Sequence, residues 1–225
     1  MVLLGIGLFS FMSSSNAQTY VFKHGLNGYS SFQDVMLYSL SSNQSFGANL
    51  GVINQNANGI MKFENLGVPP ARYKLTLEIT ARSIVSNGTV TLYYLNSLQW
   101  TDPHQNLNPP PTDSTNPTWN YRNYNSALWV GGGASGSSER GDRIGDKFIN
   151  SQTTYSYETT LDILSGLNAI GFIVTNNASG EIYFESPDNT SGNSAYPKLI
   201  FTFLSSLTHP SLDGSSFFKP FQPIR

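Results

Sequence analysis

Flat aromatic side chains alternate with amide and guanidinium groups in the stretch NPTWNYRNYNSALW, residues 116–129. An aromatic face can stack on a sugar ring, and amide groups can donate hydrogen bonds to sugar hydroxyls. The side chains here that suit a neutral glycan are Trp119, Tyr121, Arg122, Tyr124 and Trp129. The stretch is therefore a candidate carbohydrate-binding surface.

The same residue types also serve a long loop that must pack onto a sheet. A buried tryptophan stabilises such a loop through its large apolar area, and a guanidinium can donate to loop carbonyls. Trp119 and Arg122 fit this second role as well as the first. Residue types alone therefore leave both interpretations open.

Catalytic chemistry is not indicated elsewhere in the chain. The three histidines, His24, His104 and His209, are too far apart in sequence to match the ligand spacing of a metal site. The sequence contains no cysteine and no G-x-S-x-G, H-E-x-x-H or phosphate-loop motif. We therefore expect a protein that is not an enzyme and that needs no cofactor.

Two carboxylates, Asp142 and Asp146, lie close together in the segment RGDRIGDK. A glycosidase needs two carboxylates that flank a sugar bond, and oxygens in a loop can also bind calcium. A turn with solvated charges explains the pair more simply. Calcium is thus the one cofactor that the sequence leaves open, and we interpret the RGD tripeptide at residues 140–142 as a chance match to an adhesion motif.

The composition indicates an extracellular protein. Charged residues make up only 12% of the 225 residues, and Asn, Ser, Thr, Gly and Tyr supply a neutral polar surface. A net charge of −2 with scattered Lys and Arg provides no basic patch, so we expect no nucleic-acid partner. A chain of this length can bury a large core in one domain without disulfides.

Four N-x-S/T sequons agree with an extracellular location. They start at Asn43, Asn87, Asn177 and Asn189, each in or beside a predicted loop where a glycan would fit. We therefore expect a glycoprotein with these asparagines as its glycosylation sites.

Hydrophobic periodicity indicates β-strands. Apolar and polar side chains alternate in YKLTLEITARS, residues 73–83, as in a half-buried strand. The pair Asn87-Gly88 is a hairpin signal before the next strand, TVTLYYL. Similar runs are TYVFKH, QDVMLYSL, GIMKFENL, YSYETTLDI, NAIGFIVTN, GEIYFES and PKLIFTFL. The pattern predicts an all-β fold, a two-sheet antiparallel β-sandwich of jelly-roll type, over residues 18–204.

One connection is longer than compact domains usually contain. Residues 100–147 show little strand pattern and include NPPPTDSTNP and GGGASGSS. Such a loop is usually functional or packs over the fold. The aromatic stretch lies at its centre.

Motifs in four segments of the chain match one family together. The matching residues are Lys62, Phe63 and Glu64; Trp100 and Asp102; Thr118, Trp119, Asn120 and Arg122; and Ser186, Pro197, Lys198 and Leu199. They resemble the DNRLRE-type domain, an extracellular jelly roll classed with carbohydrate-binding module family 96. The resemblance spans residues 32–204 and is most specific at the T-W-N-x-R element. It implies a jelly-roll fold and, less directly, carbohydrate binding.

The resemblance also separates the two roles of the aromatic stretch. Because the T-W-N-x-R residues identify the fold in many different proteins, a structural role is favoured for them. We therefore expect Trp100, Trp119 and Arg122 to fasten the long loop onto the sandwich. Tyr121, Tyr124 and Trp129 remain the surface candidates for carbohydrate.

Both ends of the chain are apolar and are not needed for the predicted strands. Residues 1–17 fit a secretion signal, or an apolar segment that is retained and donated to a neighbouring copy. Their apolar run is too short to span a membrane. Residues 205–225 form a C-terminal extension. The side chains expected at an assembly interface are Leu4, Ile6, Leu8, Phe217, Phe218 and Phe221.

Two functions follow as hypotheses. The first is a glycosylated structural subunit that polymerises head-to-tail into a surface fibre, by strand donation or by docking of the tails, with copies of itself as partners. The second is a carbohydrate-binding module for a cell-wall or matrix polysaccharide. The sequence favours the fibre, because we expect the domain to stand alone and both of its ends are apolar.

Overall fold

Strands dominate the part of the chain that a computed structural model describes, which is residues 18–46, 52–102, 106–107, 115–124, 127–177, 180–187 and 195–207. These residues form fifteen β-strands and three single-turn 3-10 helices, and none of them lies in an α-helix. None of the helices in these ranges is long and apolar enough to cross a membrane. Residues 1–17 and 208–225 lie outside the described residues, so the predictions for both ends stay predictions.

The strands are, in chain order, β1 (Thr19–Lys23), β2 (Phe32–Tyr38), β3 (Ser45–Phe46), β4 (Val52–Ile53), β5 (Ala57–Phe63), β6 (Ala71–Ile84), β7 (Gly88–Leu95), β8 (Asn106–Leu107), β9 (Tyr121–Asn123), β10 (Ala127–Leu128), β11 (Arg140–Ile149), β12 (Thr154–Ile163), β13 (Ile170–Asn176), β14 (Ile182–Phe184) and β15 (Lys198–Ser205). The 3-10 helices are Leu26–Gly28, Ser39–Ser41 and Gly132–Ala134.

Two large antiparallel sheets account for most of the strands. Sheet A has the long strand β6 at its centre, which pairs with β12 and β15 over its first part and with β14 at its end; β1 and β4 extend it. Sheet B has the order β11-β7-β13-β5-β2-β3-β8. A small third sheet, β9-β10, lies within the long connection.

The facing surfaces of sheets A and B pack together and form the main core. Strand β6 contributes alternate residues, as its period-two pattern predicted: Tyr73, Leu75, Leu77, Ile79 and Ala81 are all buried. Sheet B contributes Phe32, Met61, Phe63, Val90, Leu92, Phe172 and Val174. Because apolar burial is the main driving force of folding, this core fixes the two sheets against each other. The all-β sandwich prediction is confirmed.

Strand β5 is buried on both of its faces, although strands in a sandwich usually expose one. Met61 and Phe63 belong to the main core, whereas Ile60 belongs to a second apolar cluster on the opposite face of sheet B. All seven residues of the strand are buried. Sheet B is therefore the middle layer of three, with the long connection as its outer cover.

The predicted strand runs are all present. The hairpin predicted at Asn87-Gly88 is wrong, because β6 pairs within sheet A and β7 within sheet B, so these residues lead from one sheet to the other. The prediction was wrong at β11, which we expected to be a turn with solvated charges. Five charged residues and two glycines hide any alternation there, and its pairing with β7 shifts register twice. Strand pairing with β7 overrides the weak local preference.

Strands β11 and β12 lie side by side at one margin of the sandwich. Residues 150–153 connect them. Strand β11 is the edge strand of sheet B, and β12 is an edge strand of sheet A. Among the described residues, each pairs with a neighbouring strand along one edge only. Both are ten residues long and leave an edge with unpaired backbone groups.

Candidate functional site

The long connection between β7 and β11 covers the outer face of sheet B. It contributes Trp100, Trp129 and Ala134 to an apolar cluster, which we call the outer cluster. The sheet contributes Val35, Leu37, Ile60, Leu95 and Ile173, and Tyr93, Leu98 and Trp119 pack at its margin. Trp100 is 2% exposed and Trp129 is 5% exposed. The connection is therefore a packed layer with its own core.

A buried lysine at the end of β5 fastens the beginning of this layer. Lys62 is 4% exposed, and its Nζ donates to the carbonyl oxygens of Trp100 at 2.7 Å and Leu98 at 3.2 Å. The ammonium also lies 4.9 Å from the centroid of the Trp100 ring and 3.1 Å from Glu64 Oε1. Hydrogen bonds, an ion pair and a cation–π contact thus offset the cost of burying the charge.

Two buried aspartates extend this polar network to sheet A. The Asp102 amide donates to Gln33 Oε1 at 3.0 Å, and Asp102 Oδ2 accepts from the Asp34 amide at 3.4 Å. On the other side of β2, Ser186 Oγ donates to Asp34 Oδ1 at 3.2 Å. Lys62, Trp100, Asp102 and Ser186, which all belong to the resemblance motifs, therefore take part in fastening the loop.

The Trp119 indole lies flat against the glycines of the 3-10 helix Gly132–Ala134. A Cβ atom on Gly132 or on Gly133 would lie 2.5 Å from an atom of that ring. The Gly133 amide donates to the Trp119 carbonyl at 2.7 Å, and Asn58 Nδ2 of β5 donates to the Gly133 carbonyl at 2.9 Å. Residues of the GGGASGSS segment are therefore small because a tryptophan ring occupies the space above them.

Thr118 and Trp129 fix the β9–β10 hairpin between these anchors. The Thr118 amide donates to the Tyr121 carbonyl at 2.8 Å, and Trp129 Nε1 donates to the Thr118 carbonyl at 2.8 Å. The Trp129 amide also donates to the Asn120 carbonyl at 3.0 Å. Trp129 was expected among the surface candidates for carbohydrate, and that placement is wrong. Its ring fills the outer cluster because it is the largest apolar group of the hairpin.

Tyr121 and Tyr124 remain at the surface of the hairpin. Both are partly exposed, and their rings meet edge to face, with centroids 5.6 Å apart and an interplanar angle of 70°. The Tyr124 amide donates to the Asn116 carbonyl at 3.2 Å, which fixes the turn that carries it. We call these two rings the tyrosine pair. The pair is carried by a backbone that buried residues support.

Amide and guanidinium groups flank the tyrosine pair. Asn120 Nδ2 lies 3.5 Å from Asn43 Oδ1, and the Asn120 amide donates to the Ser42 carbonyl at 3.4 Å. Arg122 is partly buried and donates from Nη1 to Ser97 Oγ at 3.4 Å. This contact joins the hairpin to the start of the connection, as a fastening residue would, and the role itself stays a prediction.

The acidic pair of the RGDRIGDK segment lies apart from the tyrosine pair, on β11. Asp142 and Asp146 are exposed, and Asp146 pairs with Arg143. The guanidinium of Arg140 lies over the Tyr93 ring at 4.6 Å. Among the described residues, no group of three or more His, Asp or Glu side chains could bind a metal ion. The calcium hypothesis thus gains no candidate ligand set from the described residues.

The remaining candidates divide into exposed and undescribed residues. Asn43, Asn87 and Asn177 are exposed, as glycan attachment requires. His24 meets Tyr196 edge to face at 6.0 Å. Asn189, His104, His209 and the predicted assembly side chains Leu4, Ile6, Leu8, Phe217, Phe218 and Phe221 lie outside the described residues.

Sequence reasoning missed a cavity at the end of β2. It has a volume of about 240 Å³, and its lining residues are Met36, Tyr38, Ser41, Gln44, Phe46 and Glu181. These residues come from β2, the following loop, β3 and the segment before β14. No local motif could have found them, because only strand pairing brings them together.

Comparison with known proteins identifies no family. No family model matches the sequence, and no curated protein matches it. A xylanase fragment of Clostridium thermocellum, containing CBM22-1 and GH10 modules complexed with xylohexaose, aligns with a TM-score of 0.34 and 7% identity over 80% of this chain and 27% of that chain. The present chain therefore spans about a quarter of that structure.

Two adhesin structures align at a similar level. The cleaved adhesin domain of Lys-gingipain from Porphyromonas gingivalis gives a TM-score of 0.32 and 9% identity over 82% of this chain and 96% of that chain. The epithelial adhesin 9 A domain from Candida glabrata, in complex with Galβ1-3GlcNAc, gives a TM-score of 0.23 and 10% identity over 71% of this chain and 56% of that chain. TM-scores this low assign neither a family nor a ligand to the present chain.

Proposed function

We propose that the protein is an extracellular, non-catalytic module that binds a neutral cell-wall or matrix polysaccharide through the tyrosine pair. The observation that carries this proposal is the partial exposure of Tyr121 and Tyr124 on a hairpin whose other aromatic residue, Trp129, is buried. Trp129 and Trp100, which pack the loop onto the sheet, are almost fully buried. The tyrosine pair keeps part of its surface in solvent and directly follows Asn120, a combination that suits a sugar ring with its hydroxyls.

Support from beneath is what makes this surface suitable for binding. The hairpin backbone is tied to Thr118, Asn116 and Ser42 by hydrogen bonds and to sheet B by Trp129. A binding surface that is already rigid loses little conformational entropy when a ligand docks. The flanking amides can then exchange hydrogen bonds with water for hydrogen bonds with sugar hydroxyls.

The buried carboxylates support a binding role over a catalytic one. Asp34 Oδ1 accepts from the Ser186 hydroxyl, and Asp102 Oδ2 accepts from the Asp34 backbone amide. They are 1% and 3% exposed, so a substrate could not reach them without displacing the long connection. Their role in this proposal is to position the loop that presents the tyrosine pair. The proposal includes membership of the DNRLRE-type domain family, which the sequence motifs resemble.

Affinity electrophoresis with a panel of neutral polysaccharides tests the proposal. The gels would contain β-glucan, mannan, galactan or xylan, and a glycan array would extend the panel. We expect at least one polysaccharide to retard the wild-type protein, and Tyr121→Ala and Tyr124→Ala to reduce the retardation. The matched control is Phe148→Ala, which removes a 59% exposed aromatic ring from β11. Absence of a shift with every polysaccharide, or equal loss in the control, would count against the proposal.

A second candidate function, the surface fibre, rests on the margin formed by β11 and β12. Two adjacent ten-residue strands leave backbone donors and acceptors that an extended segment of a neighbouring copy could pair with. Exposed charges at Asp142, Arg143 and Lys147 oppose uncontrolled pairing at this edge. A fibre would therefore need a specific donor, and residues 1–17 are the hypothetical one.

Electron microscopy of the purified protein tests the fibre. We expect filaments from the full chain and monomers after deletion of residues 1–20. Filaments that persist unchanged after the deletion would exclude the N-terminal segment as the donor. A full chain that is monomeric at high concentration would remove the fibre hypothesis itself.

A further inference from the structure

The cavity lined by β2, β3 and the segment before β14 combines aromatic walls with a carboxylate. The Tyr38 and Phe46 rings meet edge to face, with centroids 6.1 Å apart, and buried Met36 contributes to the lining. Ser41, Gln44 and Glu181 add a hydroxyl, an amide and a carboxylate. The volume of about 240 Å³ is below the range of roughly 300–1,000 Å³ that drug-sized ligands occupy, so a ligand group of one ring is the appropriate size.

The polar groups of this cavity are available to a ligand. Within the described residues, no Lys or Arg forms an ion pair with Glu181. Its Oε2 accepts from the Tyr183 hydroxyl at 2.6 Å, and that hydrogen bond raises the pKa of Tyr183. The carboxylate is therefore oriented by a neutral donor.

A carboxylate and aromatic rings in one cavity both favour a positive charge. The carboxylate forms a charge-assisted hydrogen bond with an ammonium group, and ring faces attract cations through their quadrupole. A sugar hydroxyl would gain from the hydrogen bond alone. The combination therefore selects a ligand ring that carries an amine.

The position of the cavity links it to the tyrosine pair. Ser41 and Gln44 belong to the loop after β2, and the carbonyl of Ser42 in that loop accepts from the amide of Asn120. Asn120 directly precedes Tyr121 in the hairpin. The loop after β2 therefore contacts the hairpin through Ser42 and lines the cavity through Ser41 and Gln44. Met36, Tyr38 and Phe46 lie on the face of sheet B that packs on sheet A, so a glycan on the tyrosine pair would reach the cavity around this loop.

We propose that the cavity is a second subsite that takes an amino sugar with a free amine, its ammonium group on Glu181 and its ring against Tyr38 and Phe46. This inference rests on the proposed function, because the sugar is taken to be part of a glycan that also contacts the tyrosine pair. The ligand class is then a largely neutral polysaccharide in which single hexosamine units are unacetylated.

Isothermal titration of the full chain with three oligosaccharides tests the subsite. The probes are chitosan oligosaccharides, their fully N-acetylated counterparts and cello-oligosaccharides of the same length. We expect the chitosan probe to bind the wild-type protein most tightly and to lose about tenfold or more in affinity with Glu181→Gln. Added salt should weaken the same complex, because the subsite is open to solvent.

Glu181→Gln keeps the shape of the side chain and can still accept from Tyr183, so unchanged thermal unfolding checks its fold. Gln44→Ala provides a second variant within the cavity and should also weaken binding of the chitosan probe. Equal affinity of the chitosan probe for wild type and Glu181→Gln, or no binding of it at all, overturns the subsite. If Tyr124→Ala then still abolishes binding of a neutral glycan, the proposed function survives that result. If neutral glycans also fail to bind, both proposals fail.

Discussion

The Nζ atom of Lys62 donates to the Trp100 carbonyl at 2.7 Å and lies 4.9 Å from the centroid of the same residue's ring. One side chain of sheet B therefore contacts both the backbone and the indole of the residue that begins the outer layer. The tyrosine pair lies farther along that layer, so its position depends on how the layer is fastened. Variants of the residues that fasten the outer layer should change stability, and variants of the tyrosine pair should change glycan binding.

Lys62→Met should destabilise the protein by about 3 kcal/mol, because two buried carbonyl oxygens lose their donor. Urea unfolding of the variant and of wild type measures the difference. Lys147→Met on β11 is the matched control, since Lys147 is exposed and should change stability by less than about 0.5 kcal/mol. Equal effects of the two variants would show that the buried ammonium does not stabilise the layer.

Gly133→Ala should destabilise the protein more than Gly67→Ala does. Both glycines have a positive φ, +66° at Gly133 and +58° at Gly67, so an alanine costs about 1–2 kcal/mol of backbone strain at either. Only at Gly133 would the new Cβ meet the Trp119 ring, which adds about 1–3 kcal/mol. Chemical denaturation of the two variants compares them. Equal losses would mean that the ring moves aside without cost.

Trp129→Phe should mainly reduce stability, whereas Tyr124→Ala should mainly reduce glycan binding. The first variant loses the hydrogen bond to the Thr118 carbonyl and leaves a void, and we expect a loss of about 2 kcal/mol in stability. The second removes a partly exposed ring and should cost less than about 1 kcal/mol while it weakens glycan binding. Thermal unfolding and affinity electrophoresis on the same samples measure both properties. A stable Trp129→Phe variant would contradict the buried role of this ring.

Alkaline pH should destabilise the fold through its buried tyrosines. Burial raises the pKa of Tyr157 and of Tyr29 well above the ordinary value of 10.0. Below that value both the folded and the unfolded chain keep the proton, so stability is unaffected. Above it the unfolded chain releases the proton first, and stability falls by up to about 1.4 kcal/mol per pH unit for each tyrosine.

Denaturant unfolding at several alkaline pH values checks this dependence. Tyr157→Phe should start less stable at neutral pH, because its hydroxyl donates to the Val90 carbonyl, but should lose less stability as the pH rises. A variant with the same alkaline slope as wild type would show that Tyr157 does not contribute to it.

The sandwich was predictable because its strands carry their own pattern. Leu75, Leu77 and Ile79 alternate with polar residues, and the structure buries them in the main core. Strand β11 was not predictable, because Asp142, Arg143 and Gly145 give no apolar face and only the pairing with β7 makes them a strand.

The sequence predicted an aromatic site in this stretch but not which of its side chains are exposed. The aromatic stretch was recognisable, but a tryptophan within it can face the sheet or the solvent, and Trp129 faces the sheet. Its orientation depends on the Thr118 carbonyl within the same stretch and on the outer cluster, whose sheet side chains lie on distant segments. The cavity that contains Glu181 was beyond sequence reasoning for the same reason, since its walls come from distant parts of the chain.

Binding of the neutral polysaccharide panel by the Tyr121→Ala, Tyr124→Ala double variant tests the central claim most directly. Equilibrium depletion assays would compare it with wild type and with Phe148→Ala, after circular dichroism shows that all three are folded. We predict a loss of about tenfold to a hundredfold in affinity for the double variant and no change for the control, because two partly exposed rings are removed from the binding surface. Wild-type affinity in the double variant would contradict the claim that the tyrosine pair binds carbohydrate.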